Sequence, residues 1–317
     1  MWRTNRFPPG QSSQHDQGRQ ESSPERITHV ADPPLSPTFE HTSSVAGVRA
    51  YFDAFAQREW ERLDSSLAGQ VSFEVHRRFL ARFVASGMRV LEIGAGPGRF
   101  TIELTGLGAR AIVTDVSPVQ LELNERYVTD AGCAPAVERW ELADVCDLGR
   151  YRDGEFDAVV AYGGPLSYAF DRAGFALQEL LRVVRPGGPV VASVMSTVGA
   201  YRHLLPGVVD LIERFGDDAN DRVLASGDLR ETQPPGTGHT CRMFRWPELV
   251  ELVTCAGGRV LAASASNWAS LGDPGALQRL AARPERWARF LDHEVRLCAE
   301  PGVLDGSTHV LFAAASQ

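Results

Sequence analysis

Short apolar runs alternate with amphipathic segments from about residue 46 to the end of the chain. Most runs are rich in Val, Ile, Leu and Ala and are bounded by turn residues, which is typical of strands buried on both faces of a parallel sheet. The amphipathic segments place apolar residues three and four positions apart and therefore predict helices. We expect strands over 90–93, 111–115, 137–145, 156–162, 190–194, 258–266 and 308–313. The alternation predicts an α/β fold.

Several segments fall outside this alternation. Residues 1–45 are rich in Gln, Ser, Pro, Arg and His with hardly any apolar clustering, and we expect a disordered extension there. Residues 46–88 predict two helices, one unbroken through VAGVRAYFDAFAQREWERLDSS and a second that ends at Gly87. A long insert over 197–246 is expected to be functional or mobile, because long loops in compact domains usually are. Residues 274–300 predict a helical insert.

Composition narrows the class of protein. The 317 residues are 44% hydrophobic, enough for one large domain over 46–317, and no apolar run reaches the ~18 to 20 residues of a membrane span. The formal net charge of -8 argues against binding to duplex nucleic acid, which requires a concentrated basic face. The five cysteines are scattered without a C-x-x-C pair, and we expect reduced thiols in a cytoplasmic protein.

The candidate chemistry begins at VLEIGAGPGRF, residues 90–100. A strand that turns through closely spaced glycines into a helix lets backbone atoms approach a ligand, since glycine has no Cβ. Asp115 ends the next strand, where an acidic side chain is placed to accept the hydroxyls of a ribose. The pattern therefore indicates an adenosine-containing cofactor. Nicotinamide enzymes would show G-x-G-x-x-G, whereas here Arg99 stands at the third glycine position; a dinucleotide site and a plain surface loop remain the alternatives.

The loop resembles motif I of class I S-adenosylmethionine (SAM)-dependent methyltransferases of the small-molecule type. Further segments follow in that family's order. A helix opened by Ser117 and Pro118 comes first, and the triplet 143–145 is similar to motif III. The strand 156–162 is similar to motif IV, and an R-P-G-G turn occupies 185–188. The resemblance covers roughly residues 46–266.

The resemblance implies a doubly wound, mostly parallel seven-stranded sheet with helices on both faces and an antiparallel last strand. It places a cofactor-binding core at 89–196 and a helical lid in the insert 197–246. The implied cofactor is SAM, with S-adenosylhomocysteine as product, and no metal site is expected. The residues expected to bind the cofactor are Glu92, Gly94, Ala95, Gly96, Gly98, Asp115, Val116, Asp144, Val145, Tyr162, Gly163 and Tyr51.

Catalytic candidates are fewer. His239 and His203, both in the 197–246 insert, and Tyr162, at the end of the fourth strand, are the side chains that we expect near the reacting methyl group. Aromatic and basic residues of the first helices, such as Arg62, either line the site or are ordinary core and surface residues. His76 is followed by Arg77 and Arg78, and we expect it to be a solvated helix residue.

The implied reaction is direct in-line displacement of the methyl group onto a small-molecule or peptide acceptor, with a general base optional. The chain has Tyr162-Gly163-Gly164-Pro165-Leu166 where enzymes that methylate nucleic acid bases often carry [ND]-P-P-[YF], so no nucleic acid partner is expected. No membrane partner is expected either, and a homodimer is possible. Two alternatives are a nicotinamide-dependent oxidoreductase and a noncatalytic SAM-binding protein.

Overall fold

The structure, a computed structural model, describes residues 45–232 and 239–317. The predicted N-terminal extension therefore lies outside the described residues except for Val45, and so does the 233–238 part of the predicted lid insert.

A seven-stranded sheet forms the centre of the fold, with strand order β3-β2-β1-β4-β5-β7-β6. The strands are β1 Arg89–Ile93, β2 Arg110–Asp115, β3 Val137–Leu142, β4 Ala158–Ala161, β5 Val190–Met195, β6 Gly258–Ala265 and β7 His309–Ser316. Strands β1 to β5 pair in parallel, and β7 runs antiparallel to both β5 and β6. The predicted fold class is confirmed. Because the strand order reverses between β1 and β4, a crevice opens at the carboxyl ends of these strands.

Helices cover both faces of the sheet. Successive strand residues point to opposite faces, and neighbouring residues of β1 accordingly join different clusters. Leu91 packs in one cluster with Leu177 of the helix 173–183, whereas Val90 packs in another with Phe79 of the helix 67–80. The helices are α1 Val45–Phe55, α2 Arg58–Glu61, α3 Leu67–Leu80, α4 Arg99–Gly106, α5 Pro118–Asp130, α6 Pro165–Tyr168, α7 Ala173–Val183, α8 Thr197–His203, α9 Leu205–Phe215, α10 Ala219–Ser226, α11 Trp246–Cys255, α12 Pro274–Ala281 and α13 Pro284–Cys298.

The N-terminal helices differ from the prediction. The single helix expected across residues 45–66 is interrupted at Ala56, whose φ of 46° is left-handed and incompatible with a continuous α-helix. The next helix ends at Leu80 rather than at Gly87, and turns occupy the residues between. The interruption at Ala56 separates α1 from α2, and both helices contribute residues to the cavity described below.

The fourth strand is also shorter than the predicted 156–162. Phe156 makes an isolated bridge with Val184 and lies outside β4.

None of the helices over residues 45–232 and 239–317 combines the length and the apolar composition of a membrane span.

Candidate active site

The glycine loop after β1 adopts a conformation that only glycine accommodates without strain. Gly94, Gly96 and Gly98 all have positive φ, between 54° and 102°. A Cβ at Gly94 would lie 2.7 Å from Cγ of Pro165, which belongs to the loop after β4. The loops after β1 and β4 therefore touch at the crevice, and a side chain at Gly94 would push them apart.

A hydrogen-bond network holds this loop from behind. Thr101 of α4 donates to a carboxyl oxygen of Glu92 at 2.7 Å and accepts from the Asn124 side chain at 3.0 Å. Asn124 also donates to the Gly96 carbonyl at 3.0 Å and accepts from the Trp140 indole at 2.9 Å. Two strands and two helices are thereby connected to one loop carbonyl.

Glu92 is therefore placed differently from the sequence expectation. Its side chain is only 2% exposed, points toward α4 and does not line the cavity described below. Burial raises the pKa of its carboxyl to about 8, and the nearby charge of Asp115 raises this pKa further. The geometry gives Glu92 the task of supporting the glycine loop.

Asp115 fastens the same loop from the neighbouring strand. One oxygen of its carboxylate accepts the backbone N–H of Gly96 at 2.9 Å, and the other accepts that of Ser117 at 2.9 Å. Burial raises the pKa of this carboxyl to about 6, although the two N–H groups act in the opposite direction. A carboxylate offers about four acceptor positions, more than the two that the Gly96 and Ser117 N–H groups occupy.

A cavity lies at the carboxyl edge of the sheet in front of this loop. Most of the residues expected to bind the cofactor line it: Gly94, Gly96, Asp115, Val116, Asp144, Val145, Tyr162 and Gly163. Asp144 follows β3 by two residues, and its Oδ1 atom accepts the backbone N–H of Cys146 at 2.9 Å. Asp115 and Asp144 thus reach one cavity from adjacent strands.

Three expected residues besides Glu92 are not on this wall. Ala95 uses its N–H to donate to the Thr114 carbonyl at 3.0 Å, and Gly98 caps the start of α4. Tyr51 packs on His239, with 4.9 Å between ring centroids.

The sequence analysis did not predict several other residues that line the cavity. The N-terminal helices contribute Val45, Val48, Phe52 and Glu59, and the loop and helix after β4 contribute Pro165 and Tyr168. Tyr168 had a signal in the sequence, because it lies in the first helical turn after the fourth strand. Glu59 had none, since its direction depends on the interruption at Ala56.

Arg99 holds α2 over the cavity. Its guanidinium donates to the Trp60 carbonyl at 2.8 and 2.6 Å, pairs with Asp64 and lies 4.2 Å from the centre of the Trp60 ring. The residue that replaces the third glycine of a dinucleotide site therefore connects the glycine loop to the N-terminal helices.

Glu59 and Arg62 form an ion pair at the same end of the site. The Arg62 guanidinium donates to both Glu59 oxygens, at 2.7 to 3.1 Å. The charge of Glu59 raises the pKa of Arg62, while 42% of the Arg62 side chain remains exposed. The arrangement presents one anion and one cation side by side.

Tyr162 lines the cavity with its ring but directs its hydroxyl elsewhere. The phenol donates to the backbone carbonyl of His76 at 3.2 Å, and burial raises its pKa well above the usual value. His76 itself is 6% exposed, so the expectation of a solvated residue is wrong. Packing against Phe100 and Tyr162 buries its ring, and burial lowers the pKa of His76 to about 4.

The two histidines expected near the methyl group have different surroundings. His203, at the end of α8, bonds through Nε2 to the Gly306 carbonyl at 2.9 Å and does not line the cavity. Nε2 of His239 lies 2.8 Å from the hydroxyl of Tyr168, which does line it. Of these two histidines, His239 is the one whose side chain is hydrogen-bonded to a residue of the cavity wall.

Comparisons with known proteins agree with this geometry. A family model described as a methyltransferase domain matches residues 90–188. A demethylmenaquinone methyltransferase of Clavibacter sepedonicus is 35% identical over 112 residues, which are 35% of this chain and 43% of that protein. The tuberculostearic acid methyltransferase UfaA1 of Mycobacterium tuberculosis is 29% identical over 179 residues, 51% of this chain and 40% of that protein. The chain thus spans less than half the length of these two relatives.

Solved structures show the same fold at low identity. A SAM-dependent methyltransferase from Mesorhizobium loti superposes with a TM-score of 0.51 at 17% identity, covering 80% of this chain and 99% of that one. The CcbJ methyltransferase from Streptomyces caelestis gives 0.50 at 15% identity, covering 78% and 96%. Residues 90–188 therefore match a methyltransferase domain, and the strand order and these superpositions give the chain the fold of class I SAM-dependent methyltransferases.

Proposed function

We propose that this protein is an enzyme that transfers a methyl group from SAM to a small-molecule acceptor. The observation that carries the proposal is the convergence of Asp115 and Asp144, from the ends of adjacent strands, on a cavity closed by the glycine loop. Ligands of open α/β sheets bind at this edge, where the strand order reverses.

The residues present fit the cofactor. The Asp115 carboxylate has acceptor positions for ribose hydroxyls, and the Asp144 carboxylate for an exocyclic amino group, with Val116 and Val145 as apolar walls for a ring. Gly94 and Gly96, which have no side chains, line the cavity with their backbone atoms. The Glu59–Arg62 pair matches a zwitterion, since an ammonium suits Glu59 and a carboxylate suits Arg62.

When bound, SAM supplies an electrophilic methyl group on a sulfonium centre. The chain's own contribution is orientation and exclusion of water. Phe52, Tyr162 and Tyr168 give the cavity an aromatic wall, beside which an acceptor can be aligned with the methyl group. Alignment of this kind can lower a barrier by about 7 to 11 kcal/mol.

The chemistry of the relatives supports a small organic acceptor. Their names specify demethylmenaquinone in one case and tuberculostearic acid in another. A nicotinamide oxidoreductase fits less well, because an antiparallel β7 lies between β5 and β6, unlike the order 3-2-1-4-5-6 of dinucleotide-binding folds.

Transfer from methyl-labelled SAM to a panel of phenols, enols, hydroxy acids and amines tests the proposal. We expect S-adenosylhomocysteine and a labelled product with at least one class, at a rate that depends on acceptor concentration. A chain that binds S-adenosylhomocysteine yet labels no acceptor would be a noncatalytic binding protein, and the proposed activity would be wrong.

A further inference from the structure

We propose that the acceptor is a neutral phenol or enol, and that Tyr168 and His239 form a proton relay that deprotonates its hydroxyl group. The inference rests on the proposed function and assigns the acceptor side of the same site.

The pair lies where such a relay is needed. Tyr168 belongs to α6, which starts directly after the glycine pair Gly163-Gly164 at the end of β4 and borders the cavity. Its hydroxyl is 2.8 Å from Nε2 of His239, within the reach of proton transfer. Tyr168 lines the cavity whereas His239 lies behind it, so an acceptor would meet the hydroxyl oxygen of Tyr168 first.

Aromatic packing fixes both rings. Tyr51 lies against the His239 ring at 4.9 Å between centroids, and Phe52 meets the Tyr168 ring edge-on at 5.2 Å. The Tyr168 and His239 rings are inclined by 70° at 5.6 Å. Helix α1 therefore holds the pair in place through two consecutive residues.

The direction of the hydrogen bond follows from burial. Burial raises the pKa of the Tyr168 phenol well above its ordinary value, so the phenol keeps its proton at neutral pH. We assign this proton to the bond with Nε2 of His239, which is then the acceptor and leaves the ring hydrogen on Nδ1. A neutral imidazole with an available acceptor nitrogen is the form that can take a proton.

The surroundings favour a neutral acceptor. The ionisable groups around the pair come from α1, α2 and its end, α3, the strand β7 and the segment after residue 238: Tyr51, Glu59, Arg62, His76, Cys241 and His309. Burial lowers the pKa of His76 to about 4 and that of His309 to about 3, and it raises that of Cys241 to about 12, so these groups are uncharged at neutral pH. Arg62 is already paired with Glu59. The environment therefore favours an uncharged hydroxyl compound over an anion.

The proposed step balances in atoms and charge. The acceptor hydroxyl gives its proton to the Tyr168 oxygen, while the hydroxyl proton of Tyr168 passes to Nε2 of His239. The acceptor oxygen forms the new O–C bond, and the electron pair of the broken C–S bond stays on sulfur. The methylated acceptor and S-adenosylhomocysteine leave, and the imidazolium of His239 returns its proton to solvent. General-base assistance of this kind contributes roughly 10²- to 10⁴-fold in rate.

Acceptors of different acidity distinguish a proton relay from a purely structural role of Tyr168 and His239. The variants are Tyr168→Phe and His239→Gln, with Tyr201→Phe and His293→Gln as matched controls at exposed positions. Methyl transfer is measured at pH 8 with phenol, which must lose its proton, and with para-nitrophenol, which is largely ionised at that pH. We expect both variants to lose about 10²-fold or more with phenol and only a few-fold with para-nitrophenol, and higher pH to restore part of the loss.

Two further readouts do not depend on turnover. S-adenosylhomocysteine binding by calorimetry should be almost unchanged in the two variants, and nitrogen NMR of labelled histidine should show the His239 hydrogen bond in the wild type but not in Tyr168→Phe. Equal losses with both phenols, no loss, or a wild type that binds S-adenosylhomocysteine but methylates neither phenol would overturn the relay. A wild type that does not bind S-adenosylhomocysteine would instead refute the proposed function.

Discussion

The carboxylate of Asp115 accepts the backbone N–H of Gly96 at 2.9 Å, and this one bond connects the end of β2 to the glycine loop that follows β1. The other oxygen of the same carboxylate accepts the N–H of Ser117, which caps α5. Asp115 therefore shapes the cavity before any ligand arrives, and its remaining acceptor positions are oriented by the same two bonds.

Replacing Asp115 by Asn should weaken S-adenosylhomocysteine binding by about tenfold or more. Hydrogen bonds to a charged group contribute about 1.5 to 3 kcal/mol, and the amide can accept only one of the two backbone N–H groups through its single oxygen. Calorimetric titration measures the change. Asp147→Asn, an exposed acid three residues beyond Asp144, is the control and should bind like the wild type. An unchanged dissociation constant in Asp115→Asn would refute the assigned role.

Cofactor binding should weaken at acid pH. The pKa of Asp115 is raised to about 6 in the unliganded protein, so the carboxyl gains a proton and loses an acceptor position as the pH falls through that value. Ribose hydroxyls stabilise the charged form, and affinity should therefore fall by up to about tenfold per pH unit below 6. Titrations with S-adenosylhomocysteine between pH 5 and pH 8 check this. The acid limb should be missing in Asp115→Asn, and its persistence there would assign it to another group.

Gly94→Ala should impair both folding and binding. The residue has a φ of 65°, and the added Cβ would lie 2.7 Å from Cγ of Pro165. Left-handed backbone costs an L-residue roughly 1 to 2 kcal/mol, and relief of the contact would displace the loop after β4. Thermal unfolding and S-adenosylhomocysteine titration measure the two effects. Gly106→Ala in α4, where a Cβ meets no atom within 4 Å, should leave both almost unchanged. Equal behaviour of the two variants would contradict the geometry.

Glu92→Gln should stabilise the unliganded protein at alkaline pH. The pKa of Glu92 is about 8 in the folded state against 4.5 ordinarily, so the folded state keeps a proton that the unfolded state loses. The free energy of unfolding of the wild type should therefore fall as the pH rises from about 4.5 to about 8. Gln retains an acceptor for Thr101 without the buried charge, and its advantage at pH 8 should be on the order of 1 kcal/mol or more. Urea unfolding at several pH values measures this, with Glu122→Gln at an exposed position as the control. A wild-type free energy of unfolding that does not change between pH 4.5 and pH 8 would contradict the assigned pKa.

Strands and the glycine loop could be predicted because local pattern determines them. Buried parallel strands read as continuous apolar runs, and the ends of β1, β2 and β3 must meet at one edge, which brings Gly94, Asp115 and Asp144 to one cavity. The position of Glu92 was also within reach of the sequence. Side chains alternate along a strand, so Glu92 shares the face of Val90 and points toward the helices on that side.

The helical part of the site could not be predicted in this way. Periodicity treats residues 45–66 as one helix, and only the left-handed Ala56 turns Glu59 into a wall residue. The burial of His76 depends on Phe100 and Tyr162, which are distant in sequence. The contact of Tyr168 with His239 spans 71 residues and is likewise a product of tertiary packing.

The central claim, a SAM site at the carboxyl edge of the sheet, is tested most directly by calorimetric titration of the purified chain with S-adenosylhomocysteine and, separately, with NAD. The account predicts saturable binding of one S-adenosylhomocysteine per chain and no saturable binding of NAD. Absence of S-adenosylhomocysteine binding, or tighter binding of NAD, would contradict it.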